Sequence, residues 1–136
     1  MARPGRTTTR LFHNALAHFR LGVPNPPRVV LSRGQRKDFP AARDMAYTDQ
    51  DGDLYVITVR PGFDREPEAR QLAVLQHELG HVTLMHKGFQ HHTEREADGV
   101  AELLFHPHRI YYDADDVQTV DPDQGVNRPR PVHLPA

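Results

Sequence analysis

The sequence predicts an α+β domain: an N-terminal helix, a small β-sheet with a hairpin, and then two helices packed on each other. Three observations carry this reading. Apolar residues recur at three- and four-residue intervals over residues 10–21, 66–86 and 93–105, the period of helices with one buried face. Between the first two of these segments, β-branched runs and an Asp-Gly pair signal strands joined by a turn. At 136 residues with 38% hydrophobic content, the chain can bury one core but not two.

Residues 1–9, interrupted by Pro4-Gly5, read as a flexible lead. Thr9 is the expected cap of a helix over residues 10–21, with Leu11, Phe12, Ala15, Leu16 and Phe19 as its apolar stripe. His13 and His18 lie on this helix as structural or exposed histidines. Gly22, Pro24, Pro26 and Pro27 end it. Arg28-Val29-Val30-Leu31 is a short strand. Residues 42–48 and 54–60 are two more strand-like arms, flanking a five-residue loop from Asp49 to Asp53. The acids of this loop lack the twelve-residue ligand series and terminal glutamate of a calcium site. The arm at 54–59 is the strongest strand and is expected to lie at a sheet edge, where an extended peptide would add to it.

Pro61-Gly62 breaks that strand, and Asp64 is the expected cap of a helix over residues 66–86. Leu72, Leu75, Leu79 and Val82 form its core stripe, and Gly88 closes it. Thr93 and Glu96 make a capping box for a helix that runs to Phe105 and stops before Pro107. Ile110-Tyr111-Tyr112 reads as a short strand or a packed loop. Residues 113–136 are acidic, then Pro-rich, and read as an extended or partly disordered tail.

A formal net charge of −1 argues against a dedicated nucleic-acid binder, although residues 1–43 are basic with Asp38 as their only acid. With no cysteine, disulfides and thiolate metal sites are excluded, and any zinc must take histidine and carboxylate ligands. No apolar run of secretory or membrane-spanning length is present, so a cytoplasmic protein is expected and no membrane partner.

His77-Glu78-Leu79-Gly80-His81 carries the chemistry. Four residues along a helix are slightly more than one turn, so His77 and His81 share a face about 6 Å apart along the axis. H-E-x-x-H is the spacing that offers two imidazoles to one zinc ion and a glutamate to the water beside it. In a chain with 10 histidines the pentapeptide alone is a weak signal, and a catalytic zinc needs a third ligand. The longer H-E-x-x-H-x-x-G-x-x-H pattern is excluded, because Leu84 and Lys87 stand at its glycine and last histidine, with His86 out of register. A glutamate from the next helix is the other source. Glu94 and Asp98, four apart, face the same way, so Glu94 can bind zinc while Asp98 accepts the spare ring N–H of a zinc histidine. Glu96 is a rival ligand, since helix starts shift by a residue or two. His91 and His92 are near in sequence and are expected in a solvent-exposed turn.

The helix with His-Glu-Leu-Gly-His followed by Glu94-Arg95-Glu96-Ala97-Asp98-Gly99-Val100-Ala101 and Pro107 resembles the ImmA/IrrE family of small glutamate-zincin metallopeptidases. The resemblance covers about residues 72–107. Val100 and His106 depart from it, standing where the family has phenylalanine and an apolar residue. It implies a metallopeptidase-like domain over residues 10–112, with His77, His81 and Glu94 as ligands of one zinc ion and Glu78 as the catalytic carboxylate. It also implies a protein substrate, often a helix-turn-helix repressor whose cleavage turns on a stress or prophage programme. Tyr111, Tyr112, His108 and Arg109 are the candidates to stabilise the oxyanion. The competing expectation is a catalytically inactive, zinc-stabilised protein-binding module, which a fourth protein ligand such as His91 or His92 would favour.

Overall fold

A computed structural model describes residues 3–41 and 44–106. The predicted α+β architecture is the observed one: α1 (Arg6–Gly22), β1 (Arg28–Arg33), β2 (Ala46–Asp51), β3 (Leu54–Val59), α2 (Glu68–His86) and α3 (Glu94–Phe105), with single 3-10 turns at Arg36–Asp38 and Phe63–Arg65. Tyr111, Tyr112, His108, Arg109 and the tail at 113–136 lie outside the described residues.

α1 starts at Arg6, so part of the expected lead is helix and Thr9 is not its cap. The reason is a contact from far along the chain. Asp64 Oδ1 accepts the backbone N–H of Thr8 at 2.7 Å, satisfying a first-turn donor that a local cap would normally take. The Thr8 hydroxyl donates to Gln71 Oε1 at 2.7 Å, and Gln71 Nε2 donates to the carbonyls of Asp64 and Glu66. This buried polar cluster ties α1 to α2. Asp64 is thereby committed to α1, and α2 begins later than expected, at Glu68, behind Pro67.

The sheet order is β1-β3-β2, with β1 parallel and β2 antiparallel to β3. β3 is therefore the central strand. Both of its sides are paired, and the expectation that its edge would take a peptide is wrong; among the described residues the edges belong to β1 and β2. Burial explains the order, since Tyr55, Ile57, Thr58 and Val59 of β3 are all buried, as a strand flanked on both sides can be. The hairpin loop is also shorter than predicted. Asp49, Gln50 and Asp51 pair with Val56, Tyr55 and Leu54, leaving Gly52 and Asp53 as a two-residue turn. Gly52 at φ +61° occupies the first central position, where glycine is favoured in tight hairpins.

α1 and α2 pack together, α2 covers β2 and β3, and α3 packs on α2. Phe19 of α1, Ile57 of β3, and Leu75, Leu79 and Val82 of α2 are fully buried between them. Gly88 (φ +93°) ends α2 with bonds from Gly88 N–H to Met85 C=O and from Phe89 N–H to Leu84 C=O, a Schellman closure. The capping box of Thr93 and Glu96 starts α3 as expected. Among the described residues no helix is long and apolar enough to cross a membrane.

Candidate metal centre

α2 and α3 approach so closely that a methyl group has no room between them. A Cβ on Gly80 would lie 2.1 Å from the carbonyl oxygen of Ala97. Glycine in the middle of the His-Glu-Leu-Gly-His segment thus lets the backbone of α3 settle against α2. That contact brings the first two turns of α3, with Glu94 and Asp98, over the two histidines.

The three side chains converge on one point. Glu94 Oε2 lies 2.8 Å from His77 Nε2 and 2.7 Å from His81 Nε2. All three side chains are buried. A carboxylate oxygen can only accept, so each imidazole donates an Nε2–H to it in this arrangement. His77, Glu78 and His81 also offer ligand atoms that lie within 4.8 Å of one another, a buried group able to hold a metal ion. Glu94 Oε2 contacts the Nε2 atoms of both histidines and so stands as a further carboxylate at the same point.

Each histidine is held from behind. His77 Nδ1 donates to Asp98 Oδ1 at 2.9 Å, the carboxylate support expected from the sequence. His81 is held by a residue whose burial contradicts its expected exposure: His92, only 1% exposed, places Nε2 2.7 Å from His81 Nδ1. The His92 Nδ1–H donates to the carbonyl of Phe89 at 2.7 Å, leaving Nε2 as an acceptor for the His81 Nδ1–H. Both supports fix Nδ1 as a donor and turn Nε2 toward Glu94. The helix closure at Gly88 and Phe89 positions the accepting carbonyl, and no short sequence pattern announces it. His91, by contrast, is exposed. Glu96 is exposed and spent on the capping box, its Oε1 accepting from Thr93 N–H at 3.1 Å, whereas Glu94 is the glutamate that contacts both histidines.

Glu78 faces the same space from the neighbouring helix position. Thr48 of β2, fully buried, donates its hydroxyl to Glu78 Oε1 at 2.7 Å, a partner that nothing in the sequence pointed to. Glu78 Oε2 is buried with no hydrogen-bond partner among the described residues. Such an atom costs about 1–3 kcal/mol unless something fills the role of a donor.

The charges follow from this packing. Burial opposes the His77 imidazolium, but the carboxylates of Asp98 and Glu94 outweigh it and raise the pKa to about 10. For Glu94, burial favours the neutral acid, yet His81 and His77 hold the carboxyl well below its usual range. Burial pushes the Glu78 carboxyl up, offset in part by His81 and His77. Burial and the neighbouring His81 push His92 down, which keeps it neutral as an acceptor. No protein-family model, curated protein or solved structure matches this chain.

Proposed function

We propose that this chain is a zinc metalloendopeptidase that hydrolyses a peptide bond in a protein substrate. The observation that carries the proposal is the convergence of His77, His81 and Glu94 with the half-satisfied carboxylate of Glu78 beside them. Two imidazoles and a carboxylate, with no thiolate, form a ligand set suited to catalytic zinc. The 2.7–2.8 Å contacts of Glu94 with the two rings are hydrogen bonds. Both Nε2 atoms would have to give up these protons before they could ligate a metal. His77, His81 and Glu94 would hold the ion.

When bound, zinc supplies Lewis acidity, polarising a carbonyl oxygen and acidifying water at neutral pH. The remaining chemistry belongs to the chain. Glu78, with a pKa raised by burial, accepts the proton of the attacking water at Oε2 and passes it to the leaving amine. Thr48 holds Oε1, so the carboxylate presents its other oxygen to the reaction. Asp98 and His92 keep the Nε2 atoms of His77 and His81 aimed at one point. β2, which carries Thr48 and is an edge strand among the described residues, is the ledge on which an extended peptide would lie beside Glu78.

The resemblance to the ImmA/IrrE family extends the proposal to a helix-turn-helix repressor as substrate and to stress or prophage regulation. The alternative of an inactive zinc-stabilised binding module receives less support. His92 faces the back of His81 rather than the convergence point, so it does not supply the fourth ligand that a closed site prefers. The test is Glu78→Gln, with new protein N-termini mapped in cells producing either form. Zinc content should be unchanged and the substrate's new N-terminus absent; equal cleavage by both forms would remove Glu78 from the reaction.

A further inference from the structure

Between α1 and β1 runs a groove of about 910 Å³ that shares no residue with the metal centre. Its floor is apolar, with Phe12 and Leu16 from α1 and Val29 and Leu31 from β1. Its rim is cationic: Arg3, Arg6 and Arg20 stand on the α1 side, and Arg28 stands at the start of β1. Alternation along β1 puts Val29 and Leu31 on the core face of the sheet and Arg28 and Val30 on the opposite face. Residues of both faces line the groove, so it runs along the outer edge of β1, which is unpaired among the described residues. The four arginines are exposed, and among the described residues none of them pairs with a carboxylate. Arg10, also on the rim, is already engaged by Glu68 at 2.7 Å. Among the described residues no aspartate or glutamate lines the groove.

These features select the occupant. A free strand edge offers alternating N–H and C=O groups, which an extended peptide can pair in a ladder. A phosphate chain fits worse, because the edge carbonyls repel it and the apolar floor gives it no donors. A second copy of this chain, pairing edge to edge about a two-fold axis, would bring its own arginines against these. The rim instead calls for carboxylates, and the floor for apolar side chains between them. Arg6 and Arg20 lie four turns apart on one side of α1, about 21 Å along its axis. Six strand steps cover about 20 Å, so a short extended segment can reach from one end of the rim to the other.

We propose that the groove between α1 and β1 binds an extended peptide segment of a protein partner, acidic at both ends and apolar between, by adding it to the free edge of β1. Its acids lie against the arginine rim, its apolar side chains rest on Phe12, Leu16 and Leu31, and its backbone pairs with β1. The surface is separate from the metal centre, so this binding requires neither zinc nor cleavage.

The probe is a fluorescein-labelled peptide with blocked ends, Asp-Asp-Val-Thr-Val-Thr-Val-Asp-Asp, titrated with the purified protein and followed by anisotropy. It should bind at low salt, and about 1 M salt should weaken it at least tenfold. The same peptide with every Asp replaced by Asn should bind about tenfold more weakly. Arg6→Gln with Arg20→Gln should also weaken the probe about tenfold. Arg36→Gln with Arg95→Gln removes the same charge at two exposed positions outside the groove and should change affinity less than about twofold. In the complex, hydrogen exchange of the amides on the outer edge of β1 should slow about tenfold. Absence of binding, equal affinity for the Asn peptide, equal weakening by the two double variants, or unchanged β1 exchange would each overturn the proposal. So would a thymidine oligonucleotide that binds more tightly than the probe and is weakened by the same Arg6 and Arg20 substitutions, which would make the groove a nucleic-acid site. Dimers that protect the β1 edge without any probe would overturn it in favour of a second copy.

Discussion

Gly80→Ala tests whether the close approach of α2 and α3 builds the centre. The added Cβ would sit 2.1 Å from Ala97 O, whereas ordinary contact starts at 3.4 Å, so the helices must part by about 1.3 Å. Alanine gains about 1 kcal/mol of helix propensity over glycine. Forcing a methyl group into a packed contact costs about 1–3 kcal/mol, and more where the obstacle is backbone that cannot rotate away. The obstacle here is a carbonyl in α3, so the upper end applies, and the net loss is about 2 kcal/mol. In a domain of this size that lowers the melting temperature of the metal-free protein by about 8 °C. The same displacement carries Glu94 and Asp98 away from the histidines by more than the roughly 0.5 Å such sites tolerate, so zinc affinity should fall at least tenfold. The control is Gly99→Ala, two residues past Ala97 on α3, where a Cβ meets nothing within 4 Å. It should raise the melting temperature by up to about 4 °C and leave zinc affinity alone. Calorimetry on metal-free protein and competition with a chromophoric chelator measure both quantities. If Gly80→Ala melted at or above wild type and bound zinc equally well, the packing argument would fail.

Asp98→Asn and His92→Phe each remove a support behind one histidine, and each should weaken zinc about 10–100-fold by chelator competition while the α2–α3 pair stays folded. Zinc binding at pH 7 should release the proton of the His77 Nε2–H, which must be vacated; calorimetry in buffers of different ionisation enthalpy counts it. The pKa of His77, raised from 6.5 to about 10, fixes a sign: in metal-free protein its stabilising contacts are complete below pH 6.5 and fade as pH rises through 10. Metal-free melting temperature should therefore fall across that window while zinc affinity climbs, and His77→Gln should flatten the first trend. Asp64→Ala, which strips the cap from a distant helix, should cost about 1–2 kcal/mol in denaturant titrations, with protection lost first around Thr8.

Signals confined to a few neighbouring residues were legible in the sequence. The capping box at Thr93, the closing Gly88 and the His77–His81 face each depend on residues a turn or so apart, and the structure has them. The pairing of Glu94 with Asp98 was legible for the same reason, because a four-residue step on a helix fixes a common face. What escaped depends on contacts across the fold. Asp64 looked like a cap for the helix that follows it, yet it caps α1, because the 3-10 turn at Phe63–Arg65 turns its carboxylate to the first turn of α1. β3 reads as a good strand in isolation, but its central place follows from β1 pairing with it in parallel, which no local pattern encodes. His92 was a histidine in a turn until the Schellman closure of α2 placed the Phe89 carbonyl beneath its ring. Thr48 joined the site only through the packing of β2 on α2.

Zinc stoichiometry across a set of substitutions tests the central claim most directly. Purified protein reconstituted with zinc and dialysed should retain one ion per chain, as measured by atomic emission. Glu78→Gln and Glu96→Ala should retain it too, whereas His77→Ala, His81→Ala and Glu94→Ala should each lose it while keeping wild-type helix content. Zinc retained by Glu94→Ala, or lost from Glu96→Ala alone, would contradict the centre described here.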